Sequence, residues 1–215
     1  MAKDEPKALK LFRMACDGGR ANGCANLAGM YQDGTGVEKD QAQAAILNRK
    51  ACDGEASTAC ASLGLQYDNG EGVNKDEAKA AVLYRKACDG GDSWGCMNLG
   101  VDLAEGVGVA KDETQAAELY RRACDGGYVG ACTSLALLYE TGTGVAEGVV
   151  QALQLYKQGC DGGDLQGCSN LGWLYEKGAG VSKDLTRARE LYKQACDGGN
   201  QNGCTKLLLS TMSNP

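Results

Sequence analysis

The chain of 215 residues has a formal net charge of -6 and a pI near 4.8, which argues against the basic face that nucleic acid or an anionic membrane requires. It contains no histidine, which excludes Ser-His-Asp and Cys-His triads, histidine-ligated metals and a histidine-ligated haem. The 32 glycines are spaced evenly and there are only 2 prolines, a pattern of punctuation between short elements.

The first predicted element is a helix over Asp4–Cys16, closed by Asp17-Gly18-Gly19. A second helix starts near Cys24 and carries Leu27, Ala28 and Tyr31 on one face. Gly34-Thr35-Gly36-Val37 ends it, and Asp40 caps the next helix. This order then recurs with a period of 36 residues: the cysteines stand at 16, 52, 88, 124, 160 and 196, each followed eight positions later by 24, 60, 96, 132, 168 and 204. Leu27, Leu63, Leu99, Leu135, Leu171 and Leu207 fall in register, as do Ala28, Gly64, Gly100, Ala136 and Gly172. Tyr31, Tyr67, Tyr139 and Tyr175 form a third row, broken by Leu103.

The third full repeat displays the pattern clearly. Its first helix covers Cys96–Glu105 and stops at Gly106-Val107-Gly108-Val109, a Gly-x-Gly-Val string present in all five loops. Its second helix starts at the N-cap Asp112 and runs through Ala116, Ala117, Leu119, Tyr120 and Ala123 to Cys124. Asp4, Asp40, Asp76 and Asp184 hold the same capping position. Arg121 and Arg122 complement the dipole in the last turn, and a glycine of Asp125-Gly126-Gly127 supplies a left-handed cap.

The last element is a first helix over Gly203–Met212, whose Leu207-Leu208-Leu209 predicts self-association through the terminal helices. The whole therefore reads as a single repeat domain over 1–215: a half repeat at 1–19, five full repeats over about 20–199, and a terminal first helix at 200–215. Opening in mid-repeat predicts an upstream helix or signal peptide, since Met1-Ala2-Lys3-Asp4-Glu5-Pro6 has no apolar signal core. No apolar run of about 18 residues is present to span a membrane.

Two disulfide schemes are geometrically sensible. Pairing Cys24 with Cys52 would orphan Cys16 and Cys204, whereas pairing across each Asp-Gly-Gly turn uses all 12 cysteines. The expected bridges are Cys16–Cys24, Cys52–Cys60, Cys88–Cys96, Cys124–Cys132, Cys160–Cys168 and Cys196–Cys204. Each short closed loop is worth roughly 2.5 kcal/mol in the chain-entropy treatment. Zinc spacing is missing, so no metal site is expected. Twelve reduced thiols in a cytosolic array are the rival reading, but regular even pairing favours a periplasmic or secreted location.

The string Gly-Cys-x-Asn-Leu-Gly-x-x-Tyr-x-x-Gly-x-Gly-Val-x-Lys-Asp, followed by Ala-x-x-Leu-Tyr-x-Lys-Ala-Cys-Asp-Gly-Gly, is fullest between Gly167 and Gly199. It resembles the Sel-1-like repeat family and, with its paired cysteines, the Helicobacter cysteine-rich protein group. The resemblance covers essentially the whole chain and departs at Ala146-Glu147-Gly148, where Lys-Asp and a helix cap are missing. It implies an all-α, right-handed α-solenoid of helix–turn–helix repeats, similar to tetratricopeptide repeats, acting as a bacterial adaptor. It also implies an alternative for cysteine-rich members: a penicillin- or peptidoglycan-binding protein with weak β-lactamase activity and a cell-wall fragment as ligand.

The residues do not support that chemistry. Ser-x-x-Lys, Ser-Asp-Asn and Lys-Thr-Gly are all missing. The Gly-x-Gly loops follow helices rather than strands, and no Gly-Lys dipeptide provides a phosphate loop. The reading is a non-catalytic scaffold without a cofactor, binding a peptide or protein segment in a concave groove. If first helices line that groove, the varying positions around each second cysteine form the ligand-facing stripe. They are Trp94, Met97, Val101 and Glu105, then Thr133, Leu137, Glu140 and Thr141, then Ser169, Trp173, Glu176 and Lys177. Both tryptophans lie on the stripe, either as interface anchors or as fillers between helices. A polar row at Asn26, Ser62, Asn98, Ser134 and Asn170 would hold a peptide backbone or bond between repeats.

Overall fold

The computed structural model describes residues 4–212, which form twelve α-helices and, among the described residues, no strand. In chain order they are α1 (Glu5–Asp17), α2 (Ala21–Asp33), α3 (Gln41–Asp53), α4 (Ser57–Asn69), α5 (Glu77–Asp89) and α6 (Ser93–Glu105). There follow α7 (Glu113–Asp125), α8 (Val129–Thr141), α9 (Val149–Asp161), α10 (Leu165–Lys177), α11 (Leu185–Asp197) and α12 (Gln201–Met212). Even-numbered helices are the first helices of the repeat and odd-numbered ones the second. Within each of the two compact units given below, consecutive helices pack on one another as a helical solenoid. The chain divides into two compact units between Lys111 and Asp112, inside a first-to-second helix loop of what reads in sequence as one continuous domain.

The capping aspartates account for the uniform starts of the second helices. Asp40, Asp76, Asp112 and Asp184 each accept the backbone N–H three residues on, at 2.9, 3.0, 2.9 and 2.9 Å, and Asp4 does so at 3.3 Å. Gly148 takes that place before α9 without a side-chain cap, yet α9 keeps the usual 13 residues. Packing of Ala152, Tyr156 and Cys160 into the core holds the helix where the cap is missing.

The first helices α2, α4, α6, α8 and α10 each end on a glycine in the left-handed region, as at Gly106 with φ 78°. The second glycine of the loop has a further reason. A Cβ at Gly72 would collide with the backbone carbonyl of Gln41, and one at Gly144 with that of Glu113, because each loop lies on the start of the preceding second helix. At the other turn the left-handed residue is the second of the two glycines, not the first: Gly126 has φ -78° and Gly127 has φ 89°. Glu55 fills that second place with φ 68°, an uncommon conformation for a side-chain-bearing residue.

Six disulfides cross these turns: Cys16–Cys24, Cys52–Cys60, Cys88–Cys96, Cys124–Cys132, Cys160–Cys168 and Cys196–Cys204. The residue before each second cysteine sets how closely the helices meet. Where it is Gly23, Gly95, Gly167 or Gly203 the two Cα atoms lie 4.4–4.5 Å apart, and where it is Ala59 or Ala131 they lie 4.6 and 4.8 Å apart. With no free cysteine, the chain fits an oxidising, extracytoplasmic environment. Among the described residues no helix is long and apolar enough to cross a membrane.

Candidate functional site

The core of each repeat fixes what its surface can present. Tyr84, Tyr156 and Tyr192 are fully buried on second helices, and their hydroxyls donate to carboxylates near the ends of the preceding first helices. The bonds run to Asp68 at 2.7 Å, Glu140 at 2.6 Å and Glu176 at 2.8 Å. Burial, reinforced by the adjacent carboxylate, pushes all three phenols well above the usual tyrosine range. Gly64 and Gly172 make room for the rings, since a Cβ there would lie 2.7 and 2.8 Å from Tyr84 and Tyr192. In the first full repeat Asn48 replaces the tyrosine and donates to Gln66 at 3.0 Å instead.

The predicted stripe is therefore not uniform. Thr133 and Ser169 are buried, with hydroxyls that have no hydrogen-bond partner, because the position after the second cysteine faces a neighbouring helix. Met97 and Val101 are half-buried, and Glu105 is exposed. Trp94 is half-buried, its ring edge-on to Tyr84 at 6.3 Å. Thr141 bonds back to the Leu137 carbonyl at 2.9 Å. The polar row bonds mostly within its own helices, Asn98, Ser62 and Ser134 each donating to the carbonyl four residues back. Leu207 is half-buried, while Leu208 and Leu209 stand exposed on α12.

In the second unit, part of the stripe does converge. Leu137 and Glu140 of α8, Asn170 and Trp173 of α10, and Lys206 of α12 line one recess of about 180 Å³. Trp173 and Lys206 also wall an adjoining recess of about 250 Å³, with Glu176, Lys177, Leu185, Arg189 and Leu209. Trp173 is half-buried and packs against the core of the unit, which restrains the ring. The Lys206 ammonium lies 5.8 Å from the centre of the Tyr192 ring. Burial draws its pKa below the usual lysine range, opposed by Glu176 and Glu140 and assisted by Lys177. The guanidinium of Arg189 donates to the Ser210 carbonyl at 2.6 Å, while its Nε is buried without a partner.

Sequence reasoning missed Arg189 and Lys206. The signal was a break in a row: Lys206 follows Asn26, Ser62, Asn98, Ser134 and Asn170 at the 36-residue spacing, and Arg189 follows Leu9, Ala45, Ala81, Ala117 and Leu153. A larger groove of about 540 Å³ lies on the second-helix side of the first unit, lined by Arg49, Tyr67, Lys79, Val82 and Lys86 among others. Its counterpart in the second unit contains Arg121, Tyr139, Gln151, Gln154 and Gln158. Such a groove comes with the repeat, whereas the recesses at Trp173 depend on residues that depart from it. Among the described residues no group of acidic or cysteine side chains could hold a metal ion.

Stacked helix pairs with a constant interior and a varied first-helix face define a helical-repeat interaction scaffold. The chain belongs to the Sel1 repeat family, whose repeat matches residues 1–19, 21–55, 57–92, 95–128, 129–164 and 165–200. Proteins of this family are generally non-catalytic modules for protein–protein interaction. Among solved structures, the chain is similar to a protective antigen present in uropathogenic Escherichia coli strains, with 33% identity and a TM-score of 0.89 over 95% of this chain. It spans only 44% of that antigen's length. A Sel1 repeat protein from Oxalobacter formigenes is 30% identical, with a TM-score of 0.90 over 96% of this chain and 82% of its own. Cysteine-rich protein B of Helicobacter pylori is 35% identical, with a TM-score of 0.50 over 60% of this chain and 93% of its own. Comparison with curated proteins finds no match.

Proposed function

We propose that the chain is a periplasmic or secreted adaptor that captures a peptide or protein segment along the first-helix face of its second unit. The observation that supports this most directly is Trp173, a half-buried indole shared by two adjoining recesses and restrained by the core. A restrained aromatic wall in a preformed recess binds at low entropic cost, because little needs to be ordered on association. Leu137, half exposed beside it, extends the apolar track along α8. Three staples, Cys124–Cys132, Cys160–Cys168 and Cys196–Cys204, tie these helices to the second helices before them, which suits a surface that must be preformed.

The test is binding of the oxidised chain to an array of short synthetic peptides, repeated with Leu137→Ala, Trp173→Ala and, as control, Val82→Ala. The two second-unit variants are expected to lose binding by tenfold or more while the control retains it. Equal binding by all three variants would remove the groove from consideration.

A further inference from the structure

Resting on that reading, we infer that the recess at Trp173 selects acidic segments: it takes a carboxylate between Arg189 and Lys206 while an adjacent apolar side chain packs on the indole. Three observations support this.

The first is the departure from the repeat. At the positions of Arg189 and Lys206 every earlier repeat carries a neutral residue, yet in the last repeat both are cations and both line the same recess. A charge in Arg189's row, otherwise filled by Leu and Ala, costs desolvation, and the bond to the Ser210 carbonyl on α12 satisfies only part of the guanidinium.

The second is the state of the two cations. Both are half-buried, and neither makes an ion pair among the described residues. The nearby carboxylates are already engaged: Glu140 and Glu176 accept from Tyr156 and Tyr192, and Lys177 lies 3.4 Å from Glu176. Arg189 spends one N–H on the Ser210 carbonyl and keeps a buried Nε without a partner. Lys206 rests near the face of Tyr192, a weaker partner than an anion.

The third is chemical contrast. The chain as a whole is acidic, with 28 carboxylates against 22 basic side chains, so an unpaired positive recess is a local exception. Leu137, Leu185 and Leu209 surround it with apolar surface, which favours a carboxylate flanked by an apolar residue over a bare anion. A partly desolvated charge-assisted bond is worth about 1.5–3 kcal/mol, a discrimination of roughly tenfold or more against a neutral isostere.

A Trp94→Phe chain leaves Trp173 as the sole indole and its fluorescence as the reporter. It is titrated with three sets of synthetic peptides of equal apolar content, carrying glutamate, glutamine or lysine at the same positions. Glutamate peptides are expected to bind at least tenfold tighter than glutamine peptides. Arg189→Gln with Lys206→Gln should abolish that margin while glutamine peptides still bind, and Lys206→Glu should turn the preference toward lysine peptides. Unchanged thermal unfolding of these variants confirms that they fold. Equal affinity for glutamate and glutamine peptides, or a preference that Lys206→Glu does not move, overturns the inference and leaves the peptide groove standing. Silence of Trp173 toward all three sets overturns the groove reading together with it.

Discussion

The two compact units use the same repeat differently, and their tryptophans mark the contrast. In the first unit Trp94 sits before its cysteine, half-buried and edge-on to the buried Tyr84, and lines none of the recesses described above. In the second unit Trp173 sits after its cysteine, packed against the core and walling two recesses. The first unit also carries departures that burden the fold: Glu55 in a left-handed turn and Asp102 buried with one oxygen unbonded. The departures in the second unit, Arg189 and Lys206, are half-buried and line one recess. A constant repeat thus tolerates two kinds of exception, one absorbed by stability and one available for recognition.

The contrast is broken most directly at the tryptophans. Trp94→Ala should cost about 2–3 kcal/mol in urea unfolding, less than a fully buried aromatic, and leave peptide binding unchanged. Trp173→Ala should lose binding at least tenfold; if Trp94→Ala did so instead, the assignment of the two units would be reversed. Next is Gly64→Ala, which places a methyl 2.7 Å from the Tyr84 ring and should cost about 1–3 kcal/mol by overpacking, again with binding intact.

Asp102 sharpens the contrast through pH. Burial, followed by the charges of Asp68, Glu105 and Glu77, pushes its carboxyl up to about 7. Between the unfolded value of about 4 and this raised value, the folded chain binds more protons than the unfolded chain. Stability should therefore fall as pH rises from about 4 to about 7, by at most ~1.4 kcal/mol per pH unit from this group, and then level off. Asp102→Asn should flatten that slope in denaturation curves taken across the range. The smallest effect is expected at Glu55→Gly, which relieves the left-handed conformation and should stabilise by about 1 kcal/mol, read as a rise in the thermal midpoint.

Much of the fold was legible because its determinants are local. Capping aspartates, turn glycines and cysteines act within a few residues of where they stand, so a 36-residue period carries them intact. The face was harder to read. Counting around one helix treats it as having a single buried side, but a solenoid helix also meets its counterparts in neighbouring repeats, which is why Thr133 and Ser169 are buried. Glu140 and Glu176 look like free surface carboxylates until Tyr156 and Tyr192, sixteen residues later, claim one oxygen of each. Arg189 and Lys206 were visible only as interruptions, and an interruption acquires meaning once it is seen to line the same space as another.

The eight-residue reach of every disulfide has a consequence for how the chain matures. The second cysteine of each pair, on emerging from a ribosome or an export channel, meets its native partner as the nearest thiol behind it. The competing partner across a repeat lies more than three times farther along the chain, at an effective concentration roughly sixfold lower by loop-closure statistics. Correct oxidation is therefore favoured by proximity before any helix has packed, and an array of this kind lengthens or shortens by whole repeats without rewiring a single bond.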